Sequence, residues 1–166
     1  SDLFRRSQDL QLTFETALFA QKYVSLNDEY LYHNRTQNNV SSLSRGYTKN
    51  HWKLTRPLID TLYNDVNNYK KQDLSYNMHL CAFFFAVSCC RNEYELSSFP
   101  KKQKIKLLDE IARDNVVQNA LPYIDSSKLN KFFRAIYDGL KGGSGASVYM
   151  SYKKHLFFVN KYKPFA

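Results

Sequence analysis

Cysteine is scarce, and the three that occur are Cys81, Cys89 and Cys90. An odd count with an adjacent pair does not make the even, loop-rich framework of a small secreted scaffold. A reducing compartment, nuclear or cytoplasmic, is therefore expected. Two glycosylation sequons, Asn34-Arg35-Thr36 and Asn39-Val40-Ser41, would matter only in a secreted chain. No signal peptide is visible, and Ser1 reads as the start of a trimmed chain or a fragment. The longest apolar run, Leu80 to Val87, is far shorter than the roughly 20 residues that cross a bilayer, so no membrane partner is expected. No internal repeat is found, which argues against a solenoid.

Chemistry-bearing motifs are missing as well. No glycine-rich phosphate loop, dinucleotide fingerprint or nucleophile elbow occurs. His33, His51, His79 and His155 are scattered, none of them patterned with a nucleophile. A buried, apolar-flanked thiol has a raised pKa and is inert, so the cysteines are read as small core residues. No CxxC or HxxxH pair begins a zinc site. His79 and Cys81 stand two apart, nearly opposite each other on a helix. The chain is expected not to be an enzyme, with no catalytic residue, no metal and no cofactor.

What is present suits one soluble domain. A chain of 166 residues, 43% hydrophobic and 23% charged, can bury a proper core, which excludes wholesale disorder. Thirteen Tyr and twelve Phe suggest a core built from rings or a single aromatic groove. Twenty-four basic against fifteen acidic residues leave a net charge of +9, which attracts nucleic acid, anionic surfaces or acidic proteins.

Apolar spacing predicts helices throughout. Leu3, Leu10, Phe14, Ala17 and Val24 stripe a first helix over 3–25, followed by a polar loop over 33–50. A second helix is expected from Thr55 and Pro57, with Leu58, Leu62, Val66 and Tyr69 on one face. Asp73 or Ser75 is a candidate cap for a third. From Leu80 to Cys90 nearly every position is apolar, which places that helix at the bundle centre with Phe83, Phe84 and Phe85 in the core. A fourth helix is expected from Ser97 or Ser98 with Ile105, Leu108, Ile111 and Ala112 buried, then a short element at 116–121. A last one starts at Asp125 and buries Leu129, Phe132, Phe133, Ile136 and Leu140. The fold expected is an all-α compact bundle of five or six helices.

Three of the five glycines fall in Gly142-Gly143-Ser144-Gly145-Ala146-Ser147. That composition break looks like an engineered flexible linker, as in a fusion. It divides the chain into a helical domain (1–141), a linker (142–147) and a docked segment (148–166), either a partner peptide or a continuation of the same protein. Residues 148–166 are rich in Tyr, Phe and Leu and carry Lys153, Lys154, Lys161 and Lys163 without an acid. As a helix, Tyr149, Tyr152, Leu156 and Val159 share a face. Helix is favoured over a hairpin because the rest of the chain offers no sheet to join.

Two functions follow from this pattern. The leading expectation is a protein-interaction module, a scaffold or adaptor whose groove binds the 148–166 segment through Tyr149, Tyr152, Leu156, Phe157, Val159 and Tyr162. The alternative is a nucleic-acid-binding domain. Its anion site would be the lysine-rich helix start of Lys101, Lys102, Lys104 and Lys106 with Arg91 beside it. Tyr47, His51 and Trp52, among Lys49, Lys53 and Arg56, would supply stacking rings.

Overall fold

A computed structural model of the chain describes residues 46–68 and 74–161, with side chains as far as Phe158. The helix expected over 3–25, the loop up to residue 45, the cap Asp73, Tyr69, Tyr162 and the side chain of Val159 lie outside the described residues.

The described residues are all-α, with six helices and no strand. In chain order these are α1 (His51–Asn68), α2 (Ser75–Arg91), α3 (Lys101–Ala112), α4 (Asn115–Ala120), α5 (Lys131–Lys141) and α6 (Gly145–Lys161). A single wide π turn, Asn92–Leu96, extends α2, and two 3-10 turns, Leu121–Tyr123 and Ser126–Lys128, lead from α4 to α5. As its apolar sequence predicts, α2 is central. It packs on α1 along one side and on α4 along another, while α6 lies across α3 and α5.

One main core joins all six helices. Ile59, Phe83, Ala86, Cys89, Leu108, Ile111, Val117, Ile136, Leu140, Val148 and Tyr152 are buried in it. A smaller cluster of Leu58, Leu62, Val66 and Met78 seals α1 against α2. Successive residues on a helix point about 100° apart, so three consecutive phenylalanines cannot share one face. Phe83 is fully buried and Phe85 is partly buried. Phe84 instead points outward, 44% exposed, edge-on to Phe133 with the ring centres 5.2 Å apart.

The helix starts differ from expectation for identifiable reasons. α1 begins a turn before Thr55 because Trp52 is buried and its indole N–H donates to Asp114 Oδ2 at 3.2 Å, which anchors the first turn. Pro57 therefore lies inside the helix. Ser97 does not cap α3. Its hydroxyl donates to the Glu93 carbonyl within the π turn, and the helix starts after Pro100. Asp125 caps the 3-10 turn through the Ser127 N–H, while Asn130 caps α5 by accepting from the Phe133 N–H at 3.0 Å. The buried side of α5 is Ile136 and Leu140, with Phe132, Phe133 and Leu129 half-buried at its edge.

Candidate functional site

The glycine- and serine-rich stretch is a tight helical corner. Gly142 ends α5, its N–H bonded to the carbonyls of Asp138 and Gly139. Gly143 follows with φ +63°, the left-handed conformation that only glycine adopts without strain. Ser144 caps α6 by accepting from the Ser147 N–H at 3.2 Å. The Gly145 N–H donates to Asp109 Oδ1 at 2.9 Å, and the missing side chain of Gly145 lets its backbone lie against the Ile105 carbonyl and the Asp109 backbone of α3. Residues 142–147, expected as a flexible linker, are thus a turn and the first turn of a helix.

The segment expected to dock is helical through Lys161 and is built into the bundle. Val148 and Tyr152 are fully buried, with Tyr149 and Leu156 half-buried beside them. Gly139 permits this closeness, since a Cβ there would stand 2.7 Å from Val148 Cα. Phe157, expected among the buried anchors, is 63% exposed. It falls about 100° from Leu156 and points away from α3 and α5.

Structure brings two sets of candidate residues together. Tyr94, from the π turn, stacks on Tyr152 with ring centres 4.3 Å apart and touches Tyr149 at 4.9 Å. The Lys104 ammonium lies over Tyr94 and donates to its carbonyl at 2.6 Å, while Lys101 lies over Tyr149. The Tyr152 hydroxyl donates to Glu95 Oε1, and Arg91 pairs with Glu95 at 2.8 Å. Burial, then the Glu95 carboxylate, holds the Tyr152 hydroxyl far above its usual pKa. Arg91, Lys101 and Lys104 are accordingly engaged in seating α6. Lys102 and Lys106 stand apart from them, on a shallow depression shared with Pro100 and Ile105.

The rings proposed for nucleic-acid stacking are also engaged. Trp52 is only 7% exposed. Arg56 reaches Asp114 at 3.0 Å and also pairs with Asp60. The Tyr47 hydroxyl donates to Glu93 Oε2 at 3.1 Å, with its ring edge-on to Phe99. Burial pushes the Cys89 thiol up to about 12 and the Cys90 thiol well above its usual value, and all three cysteines are free. Among the described residues no cluster of His, Cys, Asp or Glu is arranged to hold a metal ion, and no helix is long and apolar enough to cross a membrane.

An open concave surface lies between α5 and α6. Lys131, Arg134, Ala135 and Asp138 form one wall. Ser151, Lys154, His155 and Phe158 form the other, and together they enclose about 690 Å³. Each set follows the spacing i, i+3, i+4, i+7, the outward stripe of one helix. Phe158 is 46% exposed, and His155 lies edge-on to Phe132 at 5.6 Å.

No family model, curated protein or solved structure matches this chain.

Sequence reasoning missed the groove. Polar positions such as Lys131, Arg134 and Asp138, set beside an apolar stripe, carry no signal that distinguishes a groove wall from a solvated helix face. One signal did exist, because adjacent Phe157 and Phe158 cannot both face a core that Tyr152 and Leu156 already occupy. Tyr94, Glu93 and Glu95 were also missed, since nothing local marks a π turn as the point where α6 is anchored.

Proposed function

We propose that the chain is a protein-interaction module that receives its partner in the groove between α5 and α6. The observation that carries this reading is an exposed phenylalanine, Phe158, set into a concave surface with cations on both walls. Apolar anchors in polar-rimmed concavities are where association free energy concentrates. Val148 and Tyr152 complete the main core, which supports reading the seat of α6 against α3 and α5 as internal packing. A partner therefore needs another surface, and this groove offers it.

The alternative, nucleic-acid binding at the lysine-rich start of α3, has less support. Two of its four lysines sit over tyrosine rings, and Trp52, expected as a stacking ring, is buried.

Photo-crosslinking separates the readings. A photoreactive residue at Ala135 should give protein adducts in extracts of the source cells, and a Phe158→Ser change should remove them. The same residue at Leu54, exposed on α1, should give none of these adducts. Adducts that are sensitive to nuclease and vanish between roughly 50 and 200 mM salt would instead favour the nucleic-acid reading.

A further inference from the structure

We infer that the occupant of the α5–α6 groove is an acidic amphipathic helix, bound with its apolar stripe against Phe158 and Ala135 and with flanking carboxylates over Lys131 and Arg134 on one wall and Lys154 on the other. This rests on the groove being the binding surface proposed above. The two walls are consecutive helices joined by the tight corner at 142–144, so they run antiparallel and their residues pair end to end. Lys131 comes beside Phe158, Arg134 and Ala135 beside Lys154, and Asp138 beside Ser151. The groove is thus polarised. Lys131 and the exposed ring sit at one end, Arg134 and Lys154 face each other midway, and the single carboxylate lies at the other end.

Each wall presents residues over i to i+7, a length of about 10 Å, which matches two turns of a third helix laid along the pair. A neutral apolar helix would fill the ring end but leave the cations without partners. An extended phosphate backbone would meet the cations but also the Ala135 and Phe158 surface and the Asp138 carboxylate. A second copy of this chain is disfavoured by charge, since the molecule carries +9 and would bring like charges to a basic groove. A helix with Asp or Glu flanking apolar anchors at i, i+4 and i+7 satisfies both the ring and the cations.

The test is a display selection against the full chain, using a library of randomised helices about 14 residues long, roughly four turns. Selection is repeated on Arg134→Glu/Lys154→Glu and on Phe158→Ser, each checked for helicity by circular dichroism. The expected winners carry Asp or Glu on both sides of an apolar stripe. They should bind about tenfold more weakly to the charge-reversed variant, and added salt should lower their affinity for the unaltered chain. Loss on Phe158→Ser is expected too. Winners that are apolar but neutral, lost on Phe158→Ser and indifferent to charge reversal, would overturn the acidic assignment while leaving the groove as the binding surface. A Phe158-dependent dimer in sedimentation would overturn the acidic helix and make a second copy the occupant of the groove, whereas winners indifferent to both variants, or an empty selection, would overturn the acidic helix and the groove reading together.

Discussion

Glu93 is a buried carboxyl held by donors. It accepts from the Tyr47 hydroxyl and from the Asn92 amide at 3.0 Å, and the same amide donates to the Thr48 carbonyl at 2.9 Å. The Thr48 N–H returns a bond to Asn92 Oδ1 at 2.8 Å. The carboxyl thus helps fasten residues 47 and 48 to the π turn. Burial raises its pKa, against the pull of the Tyr47 and Asn92 hydrogen bonds; Glu110 adds to the rise and Lys104 opposes it. With the folded value above the unfolded one, the unfolded chain gives up its proton first as pH climbs. This group's contribution is therefore complete below the ordinary carboxylate range and is lost as pH rises through the raised value. Glu93→Gln removes the titration. Urea unfolding of both proteins from pH 4 to 7 should show the stability difference moving in favour of the glutamine variant as pH rises. A flat difference would mean that burial does not govern this carboxyl.

At the scale of elements, the corner between α5 and α6 makes the sharpest demand on sequence. Gly145→Ala would drive a methyl group into the Ile105 carbonyl and the Asp109 backbone, where nothing can rotate aside. Moving α6 off α3 should cost roughly 1–3 kcal/mol. Gly143→Ala meets no neighbour but keeps a left-handed residue, and should cost about 1 kcal/mol. A flexible linker would tolerate both changes without loss, so denaturant midpoints decide between tether and corner. Composition alone does not specify this corner, because Gly and Ser serve mobile tethers and tight caps alike. Only the facing backbone of α3 distinguishes the two. Helix existence was legible from apolar spacing. Helix starts were not, since Asp125 and Asn130 offer the same capping chemistry five residues apart and the packing of α5 selects the second. The phase of the triple phenylalanine was equally hidden until α1 and α4 settled which side of α2 faces inward. The groove was least legible of all, because its two walls become neighbours only once the corner closes.

For the whole molecule, the question is whether α6 is an occupant or a structural member. Val148 and Tyr152 bury completely against a core that includes Ile136 and Leu140. Each such side chain contributes roughly 1.5–3 kcal/mol, with Tyr149 and Leu156 adding part of that each. The total is comparable to the roughly 5–15 kcal/mol net stability of an ordinary domain. Removing α6 also strips Glu95 of the Tyr152 hydroxyl and uncovers the faces of α3 and α5. Residues 1–141 alone should therefore lose their cooperative unfolding transition and bind a dye for exposed apolar surface. Adding a 145–166 peptide in trans should restore both the transition and its slope. The peptide carrying Tyr152→Ala, which gives up a buried ring worth about 3–5 kcal/mol, should restore neither. A fragment 1–141 that unfolds cooperatively without the peptide would make α6 a separable ligand. Its seat on α3 and α5 would then become the first candidate for partner binding, ahead of the outer groove.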